Sequence, residues 1–281
     1  MASRAVTFRG QDCLELVLPE GDRAIVALQG AQVLSWTTGD GVERLYLSPQ
    51  AVLDGHTAIR GGVPLCFPQF NQRGPLPKHG FARNRTWQPV PAADGPGVAV
   101  LALRDDEESR ELWPHAFNAR LEVALRPGSL TVAFFVENTG AAPLEFTLAL
   151  HSYLRTDDIS AARLHGLGGL PFWDAVDNTR PEPLAAGEAL AFDGETDRVY
   201  QAAAVPLVLA DGLGRLSIAQ DPVFGQTVVW NPGAELSARL ADMPDDGYRH
   251  MLCVEAAEID APVRLTPGAT WSGAQQLSVQ A

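Results

Sequence analysis

The sequence of 281 residues predicts an all-β fold, a large antiparallel β-sandwich, on three observations. Glycine (26) and proline (21) punctuate the chain throughout. The stretches between them are short apolar or alternating runs of strand length. Helical periodicity is scarce, and only Asp105–Trp113 offers one or two turns.

In chain order the strand-like runs begin with Ala24–Leu28 and Val98–Leu103, both continuously apolar. Ala119–Leu125 and Leu130–Val136 follow, then the long run Leu144–Leu154. Val205–Leu209, Leu216–Ala219, Thr227–Trp230 and Met251–Glu255 complete the set. Ala92–Gly97 and Ala185–Gly187 read as loop tips. No repeat of fixed period, low-complexity tract or linker divides the chain, so residues 1–281 are expected to form a single domain.

Two runs carry unusual residues. Alternation along Leu144–Leu154 puts Leu144, Phe146, Leu148 and Leu150 on one face, and Glu145, Thr147, Ala149, His151 and Tyr153 on the other. The first face suits a core between sheets, the second the floor of a cleft. In Met251–Glu255, Leu252 and Val254 point one way, and Met251, Cys253 and Glu255 the other. A carboxylate in an otherwise apolar strand is uncommon unless paired or functional. Taken alone, each has a plainer reading: His151 as a satisfied histidine, Glu255 as the end of its strand.

Composition excludes several function classes. Hydrophobic residues make up 46% and charged residues 20%, as in ordinary globular proteins. No run of about 18 apolar residues could span a membrane as a helix. The N-terminal dozen residues carry no long apolar segment, so no secretory signal is expected and cytoplasmic location is the default. Three cysteines without CxxC spacing argue against a zinc site or a disulfide framework. The net charge of −13 opposes broad binding to nucleic acid or to an anionic membrane.

One segment departs from that acidity. Between Gly55 and Ala93 there is no Asp or Glu, where an even spread would put about five, yet Arg60, Arg73, Lys78, Arg83 and Arg85 all fall there. The stretch is either a solvated basic loop or an anion site, since a small phosphate needs only two or three well-placed cations.

The run Ile59–Trp87, IRGGVPLCFPQFNQRGPLPKHGFARNRTW, closely resembles the signature of the glucose-6-phosphate 1-epimerase (hexose-6-phosphate mutarotase) branch of the aldose 1-epimerase family. ALHSY (149–153), TDRVY (196–200), VWNP (229–232) and CVEA (253–256) resemble further family segments in the same order. The resemblance implies a sandwich of the galactose-mutarotase type that interconverts the α and β anomers of a hexose 6-phosphate at C1, with no cofactor and no metal. It implies Glu255 as general base and His151 as general acid, because opening a hemiacetal needs a proton taken from the C1 hydroxyl and one given to the ring oxygen. His79 and Asp197 fall on sugar-contacting positions. For His79 the alternative is a turn residue before Gly80; for Asp197, an Asx-turn or an ion pair with Arg198.

Arg60, Lys78 and Arg83 fall on positions for the charged end of the substrate. Lys78 stands where the family most often has Gln. Gly61 and Gly62 would let backbone approach a ligand closely, though a plain turn explains them equally well. The expected partner is a small sugar phosphate, with no nucleic acid and no membrane, and a monomer is expected. Two rival readings are a non-catalytic phosphosugar-binding protein on the same fold and an epimerase of neutral aldoses. A binding module needs neither His151 nor Glu255, and neutral sugars need neither Arg60 nor Arg83.

Overall fold

In the computed structural model, which describes residues 3–90 and 97–280, strands dominate. In chain order they are β1 (Arg4–Phe8), β2 (Gln11–Val17), β3 (Arg23–Ala27), β4 (Val33–Thr37), β5 (Leu65–Cys66), β6 (Gln88–Val90) and β7 (Val98–Arg104). The helix α1 (Glu107–Leu112) precedes β8 (Phe117–Arg126), β9 (Ser129–Asn138), β10 (Leu144–Leu150) and β11 (Tyr153–Arg155). Then come β12 (Arg163–His165), β13 (Phe172–Asp174), β14 (Thr196–Gln201), β15 (Leu207–Asp211), β16 (Gly214–Gln220) and β17 (Gln226–Asn231). A short α2 (Gly233–Ser237) leads to β18 (Met251–Leu265) and β19 (Thr270–Gln280).

Strands β1 to β4 form a four-stranded sheet in sequence order. An eight-stranded sheet runs β12-β15-β16-β19-β9-β8-β7-β6. A seven-stranded sheet runs β13-β14-β17-β18-β10-β5, with β11 also paired to β18. The named strands pair antiparallel throughout. The inner faces of the two large sheets share one core. Leu121, Leu130, Phe134 and Val136 from one pack with Leu148, Leu150, Val254 and Ala256 from the other. Period-two alternation builds that core, since every second residue of β8 and β9 is buried. The predicted sandwich is therefore the observed architecture.

The nine predicted runs all fall on strands, but several strands differ in extent. β18 continues to Leu265, so Glu255 stands in mid-strand and does not mark a strand end. The run Leu144–Leu154 is broken at His151–Ser152 into β10 and β11. Asp105–Trp113 contains α1, opened by a capping box in which Asp106 accepts from the Ser109 amide at 2.7 Å. Ala185–Gly187 is an exposed turn, whereas the loop predicted at Ala92–Gly97 lies outside the described residues except for Gly97. No helix among the described residues is long and apolar enough to cross a membrane.

Gly61 and Gly62 owe their identity to the fold. Both have positive φ (119° and 63°), and a Cβ would stand 2.4 Å from the Tyr46 carbonyl oxygen at Gly61 and 2.0 Å from that of Val33 at Gly62. The close backbone approach that glycine permits is to neighbouring chain segments of the protein itself.

Candidate active site

The outer face of the seven-stranded sheet gathers the unusual residues. In antiparallel pairing, residues directly opposite share a face. Asp197 pairs with Trp230, Trp230 with Cys253, and Cys253 with Tyr153, which makes one row across four strands. Two residues along β18, Glu255 lies opposite Val228 on the same face. The β10–β11 break falls beside it, because Leu150 pairs with Ala256 and Tyr153 with Cys253. His151 occupies that gap. Its Nε2 lies 3.3 Å from Glu255 Oε1, with the two residues 8% and 1% exposed.

Two atoms of this pair have no protein partner among the described residues: His151 Nδ1 and Glu255 Oε2. Buried polar atoms are nearly always satisfied, so these two free atoms in adjoining titratable groups make the pair the candidate for proton transfer. Burial, and then the nearby Asp197 charge, push the Glu255 carboxyl well above the usual carboxylate range. Burial, then His79, Arg83 and Arg60, push the His151 imidazole well below its usual value. Both directions favour a pair that carries one proton in total. The carboxylic acid–imidazole and carboxylate–imidazolium forms are related by proton transfer within the pair.

His79 meets His151 edge-on, with ring centroids 5.6 Å apart. It is a turn residue that also lies against the candidate pair. Its φ is +65°, and its backbone N–H donates to the Asn71 carbonyl at 2.9 Å. The Asn71 N–H donates to His79 Nδ1 at 3.3 Å, which leaves the proton of a neutral ring on Nε2. Burial and the charges of Arg83, Lys78 and Arg60 push this imidazole down to about 3, so it stays neutral at ordinary pH. Asp197 does not pair with Arg198. Arg198 donates instead to Asp174 Oδ2 at 3.1 Å. Burial, Glu195 and Asp174 raise the Asp197 carboxyl to about 6, against the lowering pull of Lys78 and Arg73.

The basic stretch divides in two. Arg60, Arg73 and Arg85 pair with Asp242, Asp260 and Glu108 from distant parts of the chain, at 3.2, 3.4 and 2.5 Å. Lys78 and Arg83 form no ion pair among the described residues. Arg83 Nη2 donates to the Lys78 carbonyl at 3.0 Å, and its buried Nε has no partner there. The charges of Arg60, Lys78 and Arg83 all act on His79.

Sequence reasoning missed several neighbours. Tyr153 stacks on His151, with centroids 4.8 Å apart and planes 12° from parallel. Trp230 stands edge-on to both rings at 6.1 Å. Alternation had put Tyr153 on the correct face, but nothing in the sequence pointed to a stack. Asp242 reaches Arg60 across 182 residues of chain and gave no signal at all. Trp173, on the same sheet face as Val199, lies under the Arg73 guanidinium at 5.1 Å. His56 is exposed, while His115, His165 and His250 are half-buried, and none is among the residues that meet at His151 and Glu255. Cys66 is fully buried. Among the described residues no group of three or more His, Cys, Asp or Glu has a metal-holding arrangement.

Comparison with known proteins agrees with this architecture. A protein of Escherichia coli (strain K12) named "Putative glucose-6-phosphate 1-epimerase" is 37% identical, over 94% of this chain and 90% of its own. A protein of the same name from Cenchrus ciliaris is 38% identical, over 94% of this chain and 84% of its own. The solved structure of a "putative mutarotase (YeaD)" from Salmonella typhimurium superposes with a TM-score of 0.88 at 30% identity, covering 99% of this chain and 94% of that one. The Slr1438 protein of Synechocystis sp. PCC 6803, at 20% identity, shares the fold with a TM-score of 0.81, covering 100% of this chain and 99% of its own. The sequence pattern of the family described as Aldose 1-epimerase spans residues 12–278, so the chain belongs to the aldose 1-epimerase family.

Proposed function

We propose that the protein interconverts the α and β anomers of a hexose 6-phosphate, most readily glucose 6-phosphate, through Glu255 and His151. The observation that carries this reading is the buried pair itself: a carboxyl and an imidazole 3.3 Å apart, each with one unpartnered polar atom. A module that only bound sugar would gain nothing from burying two proton-transfer groups against each other, since each unsatisfied buried group costs about 1–3 kcal/mol.

The reaction follows from the single proton of the pair. In its carboxylate–imidazolium form, Glu255 takes the proton of the C1 hydroxyl. The O1 electron pair closes to a carbonyl, the C1–O5 bond breaks, and O5 takes a proton from His151. The pair has again one proton, now on Glu255. Rotation about C1–C2 presents the other face of the aldehyde, and the same transfers in reverse close the ring. A C1 hydroxyl donating to Glu255 and a ring oxygen accepting from His151 both favour the charge-separated form, so a bound sugar offsets the burial that opposes it. His79, neutral with its proton on Nε2, serves as a hydrogen-bond donor to the sugar. Asp197 contacts a sugar hydroxyl. Arg60, Lys78 and Arg83 hold the phosphate, where the lysine adds a point charge.

In this reading residues 1–281 act as one domain and as a monomer, since one chain supplies the whole site. Three buried free cysteines suit a reducing cytoplasm. The names of the relatives from Escherichia coli and Cenchrus ciliaris support the same substrate class. The test is anomer exchange of glucose 6-phosphate followed by NMR. Glu255→Gln should bind substrate and lose about 10²–10⁴ of the enzymatic rate. A rate within about threefold of wild type would remove Glu255 from the mechanism.

A further inference from the structure

A continuous set of contacts joins Arg60 to the proton-transfer pair. Arg60 donates through Nε to both oxygens of Asp242 at 3.2 Å, and through Nη1 to Tyr153 Oη at 3.1 Å. The Tyr153 ring lies flat on His151, which abuts Glu255. Trp230 backs the group, with the Arg60 guanidinium 5.9 Å from its ring centre. Asp242 is itself anchored, because Ser48 Oγ donates to its carbonyl at 2.6 Å. Tyr153 is buried, and burial raises its hydroxyl well above the usual phenol range, so it stays a neutral acceptor for Arg60. Of the five N–H donors of a guanidinium, Asp242 and Tyr153 engage two, which fixes its plane and leaves a free edge.

We propose that Tyr153 and Asp242 are positioning residues that register the anionic end of the substrate against the proton-transfer pair. Asp242 fixes the Arg60 fork. Tyr153 ties that fork to His151, so one aromatic side chain sets the spacing between the anion and the reacting C1–O5 bond. This rests on the reading of Arg60 as a phosphate ligand. It adds that selectivity for a phosphorylated sugar depends on two residues that need not touch the phosphate.

The test measures kcat/KM for glucose 6-phosphate and for glucose in wild type, Arg60→Ala, Tyr153→Phe, Asp242→Ala and Asp242→Asn. Tyr153→Phe keeps the stacked ring and loses only the acceptor. It should lower the ratio of the two kcat/KM values about tenfold, mainly through KM for the phosphate, because a hydrogen bond to a charged group is lost. Asp242→Ala should lower the ratio similarly, and Asp242→Asn, which keeps an acceptor for Arg60 Nε, should recover part of it. A merely structural role would instead lower kcat/KM for both sugars alike, together with the melting temperature, and would overturn the proposal. If Arg60→Ala abolishes the preference while Tyr153→Phe and Asp242→Ala keep it within twofold, the positioning role is wrong and Arg60 remains a phosphate ligand. If wild type shows no preference for the phosphate, the substrate reading fails, and this proposal fails with it.

Discussion

Glu255 is 1% exposed in the middle of a β-sheet, where an ionised carboxylate is expensive. Glu255→Gln should therefore leave the melting temperature unchanged or raise it at pH 8 while it abolishes most activity, as when a site is tuned for reaction over stability. Asp197 allows a sharper test, because its carboxyl is raised from an ordinary value near 3.8 to about 6. A raised carboxyl contributes stability that is fully present below about pH 3.8 and lost as the pH rises through about 6. Asp197→Asn should then raise the melting temperature at pH 8 relative to wild type and change it little at pH 3.5, as a thermal unfolding series would show. Equal shifts at both pH values would mean that the charge of Asp197 is not what the fold opposes. At this scale alternation marked His151 and Glu255 each as a polar residue within its own run, and only the family resemblance joined them as a pair. Asp242 was not legible, since an ion pair between residues 60 and 242 leaves no trace in local pattern.

At the scale of elements, β19 and β5 escaped pattern reading for different reasons. β19 carries Gln275 buried at its centre, where the side chain accepts from Ser152 Oγ at 2.5 Å and donates to the Val254 carbonyl at 3.0 Å. β5 is two residues long and exists only through its pairing with β10. The segment from Gly61 to Arg83 has little regular structure, and close backbone contacts at Gly61 and Gly62 position its start. Gly62→Ala adds a Cβ against the Val33 carbonyl at a positive φ, and should cost about 2–3 kcal/mol in urea unfolding. A loss under about 0.5 kcal/mol would show that the segment relaxes freely. Along the same segment, Arg83→Ala removes a charged donor with no carboxylate partner among the described residues, and should raise KM for glucose 6-phosphate roughly 10- to 100-fold. Lys78→Gln, which restores the residue usual in the family, should raise it less, because an exposed lysine acts through a screened charge.

For the whole molecule, the net charge of −13 and the basic patch act in opposite directions. In the proposed function the acidic surface would repel an anionic substrate at long range, and the patch would attract it locally. Three of the five cations in the acid-free stretch have carboxylate partners from elsewhere in the chain, and Lys78 and Arg83 have none among the described residues. The sandwich was legible because its strands are short and its turns rich in Gly and Pro. The way its outer face collects a row from β14, β17, β18 and β11 was not, because that depends on register between strands far apart in sequence. Anomer exchange by protonation needs no Lewis acid, so prolonged chelation with EDTA should leave the rate unchanged. Loss of rate restored by one particular metal would contradict that chemistry. The central claim is tested most directly by kcat/KM for anomer exchange of glucose 6-phosphate against glucose, measured by NMR on the wild-type protein. The account predicts a preference for the phosphate of at least about tenfold, narrowing as salt is added. Equal values, or a preference for glucose, would contradict it.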